Sequence, residues 1–293
     1  MIDKTLRLGL AMMLGAIAAA TCGCAPSAAP SPGVTLAYVA WDSCVAATNV
    51  VKAALEQRGF EVRTQAYTGA SMYMALAQGD ADATVCAWLP STHAVYYART
   101  HARLANLGPN LSGARIGLVV PQYVTIDAID ELATHAGQFG RRIVGIDPDA
   151  GEMGITRKAI RTYRLPLALV EGSAASMAAA LESAIERGEW IVVTGWTPHW
   201  MWTRWKLKYL ADPKGSFGGA EDIDTLARQG LQQDSPGAFA LLDGFRWTPA
   251  QMQQVMMADR QPHADAEANA RAWVRAHPGL VAAWAADGAD TSR

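Results

Sequence analysis

The sequence predicts an α/β protein built from two units that face one another. Short apolar runs alternate with helix-like stretches along most of the chain, which is the mark of βαβ units and a parallel sheet. The alternation runs twice, once up to about residue 90 and again from about residue 114. At three of the strand ends stands a tryptophan: Trp41, Trp88 and Trp196. Open α/β sheets bind ligands just beyond the carboxyl ends of their strands. Three indole faces meeting there would form a box for a quaternary ammonium, a cation with no N–H to donate and with its charge spread over methyl groups.

The elements follow in order. Val34–Ala40 is an apolar run ending at Trp41, and Asp42 or Ser43 is placed to cap a helix that stops at Gly59. A second strand begins at Phe60, a helix spans Ser71–Gln78 with Gly79 as its stop, and Ala81–Trp88 is a third strand. The second unit has a strand over Ala114–Val120, a helical stretch over Ile126–Ala136, and a strand over Arg142–Ile146. A helix over Met153–Tyr163, a strand over Leu165–Val170, an Ala-rich helix over Ser173–Ile185 and a strand over Trp190–Thr194 complete it. The rest reads as four helices, Thr225–Leu231, Gly237–Leu242, Pro249–Met257 and Ala264–Ala276, returning to cover the first unit.

Composition and the chain ends narrow the function. With 293 residues, 51% of them hydrophobic, the chain can bury a large core. A net charge of −2 argues against nucleic acid as partner. Lys4 and Arg7 precede an apolar Leu8–Ala20 run, which reads as an export signal too short to span a bilayer. Residues 1–24 are assigned to that signal and 25–33, rich in Ala, Pro and Ser, to a flexible tether. Cys24 is a candidate for lipid attachment, with simple signal cleavage the alternative. The folded part is placed outside the cytoplasmic membrane, in the periplasm or on the membrane's outer face, where disulfides form. Its two cysteines, Cys44 and Cys86, lie close in sequence to Trp41 and Trp88. They either bridge or remain two small buried thiols.

Two further features carry chemistry. The stretch Gly145–Gly154 is a turn between a strand and a helix, and its free amides favour an anion at the helix start. An anion site beside a cation box describes a small betaine. His93, five residues after Trp88, either bonds a ligand carboxylate or bonds nearby backbone at a helix start. His199 falls in the cluster Trp200, Trp202, Trp205 and reads as packing. A hydrolase using Cys44 with His93 or His199 would need a base beside the nucleophile, and no such pairing or metal-ligand spacing shows in the sequence.

The blocks AYVAWDS (37–43), AWLPSTH (87–93), LGPNLSGARIGLVVPQY (107–123), VGIDPDAG (144–151), IVVTGWTPHWM (191–201), LKYLADPKGSFGGAEDIDTLAR (207–228) and FRWTP (245–249) resemble, in order, those of the glycine betaine/proline betaine substrate-binding proteins of osmoprotectant ABC importers. The resemblance implies an α/β, two-lobed, type II-like periplasmic-binding-protein fold with the ligand in the interlobe cleft. Lobe 1 would be 34–118 plus 224–293, and lobe 2 would be 119–223. It implies an ammonium cage of Trp41, Trp88 and Trp196, with the carboxylate held by the backbone amides of Gly151 and Glu152 and by His93. It implies a monomer without cofactor or enzymatic activity that delivers its ligand to an ABC permease in the cytoplasmic membrane. A binder of choline or another quaternary amine is the alternative. The chain departs from the pattern where Asp149 and Glu152 bring two acids to the carboxylate site. Both are expected to point to solvent, since repulsion would otherwise oppose binding.

Overall fold

The computed structural model describes residues 33–290, with side chains up to residue 286. The export signal, Cys24 and nearly all of the tether lie outside the described residues. The chain runs β1 (Gly33–Tyr38), α1 (Asp42–Gln57), β2 (Glu61–Ala66), α2 (Gly69–Gln78), β3 (Ala83–Leu89), α3 (Ala94–Thr100) and the long β4 (Leu104–Pro121). Then come β5 (Arg142–Val144), α4 (Gly151–Tyr163), β6 (Ala168–Val170), α5 (Ala174–Arg187), β7 (Val193–Thr197), α6 (Met201–Arg204), β8 (Leu207–Tyr209) and β9 (Glu221–Arg228). Five helices close the chain: α7 (Leu231–Asp234), α8 (Pro236–Gly244), α9 (Pro249–Asp259), α10 (Ala266–Ala276) and α11 (Pro278–Asp290).

The strands are ordered β2-β1-β3-β9-β4-β7-β5-β6, with β8 beside β4. The outer pairs β1–β2 and β5–β6 are parallel, as βαβ units require. The centre is antiparallel, because β9 runs against β3 and β4, and β7 runs against β4. The sheet is therefore mixed where the sequence suggested a parallel one. Strand β4 joins the two halves: Leu104–Ala114 pair with β9, and Arg115–Val119 pair with β7.

Local chemistry explains most boundaries. Helix α2 ends at Gly79, whose φ of 83° is left-handed and cheap only for glycine. Ser173 accepts the Ser176 amide at the start of α5, and Thr248 accepts the Gln251 amide at the start of α9, where Pro249 occupies the first turn. Each such cap is worth about 1 kcal/mol. Helix α1 is capped differently from expectation. Its N-cap is Trp41, with no side-chain cap, and Asp42 is already in the first turn, where its charge suits the helix dipole.

Two expected helices are not there. Residues 225–228 belong to β9, and only the short α7 follows. Strand β9 lies between β3 and β4 and is buried along most of its length, so its sequence shows no alternation to separate it from a buried helix. Residues 126–136 contain a single 3₁₀ turn at Ile129–Ala133. Ile126, Ile129 and Leu132 are all buried at intervals of three, the period of a 3₁₀ turn rather than an α-helix. The Glu131 side chain accepts the amides of Asp127 and Ala128 and holds the turn.

The C-terminal helices do cover the first unit: α9 and α10 pack on α1, and Lys52 on α1 reaches Glu267 on α10 at 2.8 Å. Helix α11, not expected from sequence, puts Trp284 edge-on against Phe245, with ring centres 4.9 Å apart.

Candidate ligand site

All six predicted residues line one pocket: Trp41, Trp88, His93, Gly151, Glu152 and Trp196. The space between them, including the solvent at its open mouth, is about 320 Å³. They stand at the starts of α1, α3 and α4 and toward the ends of β3 and β7.

Trp41 sits between β1 and α1 and donates its indole N–H to Asp147 Oδ2 at 3.1 Å, so its polar edge is satisfied across the pocket. Trp88 is buried in β3. Trp196 in β7 packs edge-on against His199 with ring centres 4.6 Å apart. His199 accepts the Met201 amide on Nδ1, and its Nε2 lies 3.5 Å from Asp42 Oδ2, an ion-pair distance. Burial, the largest single influence, would raise the Asp42 carboxyl, but His199, the Trp200 indole and the Arg260 charge together hold it lowered. His199 therefore packs, as expected, and also links β7 to the start of α1.

Cys44 and Cys86 form a disulfide with Cα atoms 5.4 Å apart, tying α1 to β3 next to Trp41 and Trp88. In this form Cys44 carries no thiol to serve as a nucleophile.

His93 is 1% exposed. Its Nδ1 accepts the Trp88 amide at 3.1 Å and faces the Tyr73 hydroxyl at 3.2 Å. Burial lowers its pKa to about 3, so the ring is neutral near pH 7. With Nδ1 accepting, the single proton belongs on Nε2. The backbone reading of His93 holds for Nδ1, and Nε2–H is left as a donor.

Helix α4 begins at Gly151, and its N-cap, Ala150, gives no side-chain cap. The amide of Met153 already bonds the Ala150 carbonyl, so the two leading amides, of Gly151 and Glu152, are the helix-start donors. A helix N-terminus of this kind suits an anion. Gly151 is required here: a Cβ would fall 2.1 Å from the Thr92 carbonyl oxygen. That approach is fixed by Glu221 on β9, whose carboxylate accepts the amides of Ser91 and Thr92 and the Thr92 hydroxyl.

One expectation fails. Glu152 does not point to solvent: it is 3% exposed, and its Oε1 accepts the Gly195 amide at 2.9 Å. Burial raises its pKa well above the usual carboxylate range, against the opposing Gly195 and Gly117 amides. The amphipathic spacing of α4 turns this position inward, and a glycine amide in the middle of β7 supplies the partner. Asp149 is half-buried, and its carbonyl accepts the Tyr96 hydroxyl.

Sequence reasoning missed Asp147, Glu221 and Tyr73. Asp147 lies in the IDPD turn and was legible as a site residue. Glu221 and Tyr73 are set only by tertiary contact, with no local signal.

The chain matches the family OpuAC, described as the substrate binding domain of ABC-type glycine betaine transport system, over residues 32–276. It is 43% identical over 150 residues to the glycine betaine/carnitine transport binding protein GbuC of Listeria monocytogenes, a match that spans half of this chain and half of that protein. Lactococcal OpuAC, in its closed-liganded conformation complexed with glycine betaine, aligns with a TM-score of 0.83 at 40% identity, over 87% of this chain and 99% of that one. The glycine betaine/L-proline-binding protein ProX from Borrelia burgdorferi aligns with a TM-score of 0.84 at 35% identity, over 86% and 96%. An ABC-transporter choline binding protein in complex with choline aligns with a TM-score of 0.80 at 25% identity, over 87% and 92%.

Proposed function

The chain belongs to the family of substrate binding domains of ABC-type glycine betaine transport systems, and on that premise we propose that it captures glycine betaine, and proline betaine less tightly, for a membrane permease. The observation that carries the proposal is that three indoles, a neutral histidine and two helix-start amides line one pocket. The indoles suit the trimethylammonium end. The His93 Nε2–H and the amides of Gly151 and Glu152 suit the carboxylate end. Each desolvated cation–π contact is worth about 2 kcal/mol, and each charge-assisted bond roughly 1.5–3 kcal/mol. Less the cost of association, these fit about micromolar binding, or roughly −8 kcal/mol.

We take the two lobes to divide where β4 changes partner, between Ala114 and Arg115, and again at the start of β9, a few residues before the expected boundaries. Trp41, Trp88 and His93 then belong to one lobe, and Trp196, Gly151 and Glu152 to the other. A bound betaine bridges them, and this differential contact is what biases the lobes to close. Substrate-binding proteins of ABC importers work outside the cytoplasmic membrane. We take this chain to be exported as a monomer, with Cys24 the candidate lipid-attachment residue. No helix among the described residues is long and apolar enough to cross a membrane.

Choline is the second reading, favoured by the choline-bound relative. It lacks the carboxylate and would leave three buried donors unpaired, at about 1–3 kcal/mol each. Calorimetric titration with glycine betaine, proline betaine, choline, carnitine and proline tests the proposal. Glycine betaine should bind tightest and free proline weakly. Failure of every methylated amine to bind would refute it.

A further inference from the structure

We propose that the Glu152 side chain is a specificity-determining residue: as a neutral acid it admits a zwitterion, and as a carboxylate it turns the site toward a quaternary cation that has no carboxylate of its own. The inference rests on the quaternary-ammonium reading of the pocket and deepens it. Its basis is geometric. Glu152 carries two groups into the same site: a backbone amide at the second position of α4, and a carboxyl that folds into the pocket wall rather than leaving it. A ligand carboxylate drawn to the amide would meet a residue whose own carboxyl is buried at the same site.

The surroundings do not neutralise a charge there. Among the described residues no lysine or arginine pairs with Glu152. Strand β7 offers the Gly195 amide at 2.9 Å, and β4 the Gly117 amide. The titratable groups that act on it are Glu221 on β9 and Tyr209 on β8, and neutral His93 at the start of α3 lines the same pocket. The nearby Arg115 guanidinium is placed over the Tyr209 ring at 4.3 Å. Burial and the Glu221 charge both favour the neutral acid, and the two amides oppose them.

The sign follows from linkage. A ligand carboxylate favours the protonated Glu152, so betaine binding takes up a proton and weakens as pH rises. A ligand with only a cationic head favours the ionised Glu152, so its binding releases a proton and strengthens as pH rises. One proton limits either slope to about tenfold per pH unit.

The test is calorimetry of the full chain and its E152Q variant with glycine betaine and with choline, between about pH 5 and pH 9. Proton exchange is read by repeating each titration in two buffers of different ionisation enthalpy. The wild-type preference for betaine over choline should fall as pH rises through the ionisation of Glu152, with proton uptake for betaine and release for choline. In E152Q the preference should not depend on pH. This control separates Glu152 from His199 and Asp42, which both proteins keep. The proton balance of the wild type serves the same purpose should the variant not fold. A wild-type preference that is flat with pH and free of proton exchange would overturn the assignment while leaving betaine binding intact. Absence of binding by either ligand at every pH would overturn both readings.

Discussion

Replacing Trp196 with alanine tests its proposed ligand role apart from its packing role. Its ring is 4% exposed and stands edge-on to His199 at 4.6 Å, so it has a structural neighbour as well as a pocket face. Loss of one desolvated cation–π contact costs about 2 kcal/mol, or roughly thirtyfold in dissociation constant. Loss of the buried aromatic costs stability as well. Core Trp-to-Ala changes run about 3–5 kcal/mol, and the low end applies here because one side of the ring faces the pocket rather than packed atoms. The assay pairs calorimetry against glycine betaine with a thermal melt of the ligand-free protein. Trp196→Phe, which keeps an aromatic ring for His199 and a weaker face for the cation, should fall between the two in affinity while recovering most of the melting temperature. A folded Trp196→Ala protein with the wild-type dissociation constant would refute the cage.

Three other outcomes are expected. Gly151→Ala places a methyl group against the Thr92 carbonyl and should weaken glycine betaine binding by at least about tenfold, read by calorimetry, because a backbone atom cannot move aside as a side chain can. Replacing Cys44 and Cys86 together by serine removes a cross-link between residues 42 apart and should lower unfolding free energy by about 4 kcal/mol in a denaturant titration. His93 is held neutral in the fold with a pKa of about 3, below its unfolded value. The unfolded chain then binds more protons between about pH 3 and pH 6.5, so stability contributed by this residue is full above that window and is lost as pH falls through it. His93→Phe should flatten that part of the stability profile in acid denaturation followed by circular dichroism.

The legible parts of the fold were those with local causes. Gly79, Ser173 and Pro249 mark helix ends through their own backbone preferences, and the βαβ alternation of the first unit was correct. What could not be read was β9, buried between two strands and therefore without alternation, and the 3₁₀ turn at Ile129–Ala133, whose three-residue spacing imitates a helix. At the site, residue types were informative because the chemistry is restrictive: indoles, a helix start and one histidine gather in one pocket. The direction of the Glu152 side chain was not legible. It depends on a glycine amide 43 positions away, and solvent was the wrong default for an acid on an inward face.

Strand β4 has a mechanical consequence. Among the described residues it alone pairs with β9 along one part of its length and with β7 along the next, so a rotation of the two proposed lobes against each other would bend it. Four strand spacings separate β4 from β2 on one side, and three separate it from β6 on the other. At about 4.8 Å per spacing, a rotation of about ten degrees displaces β2 by roughly 3 Å and β6 by somewhat less. Movements too small to notice beside the ligand become largest at the two rims, and a receptor that tells a filled molecule from an empty one has most to gain by touching it there.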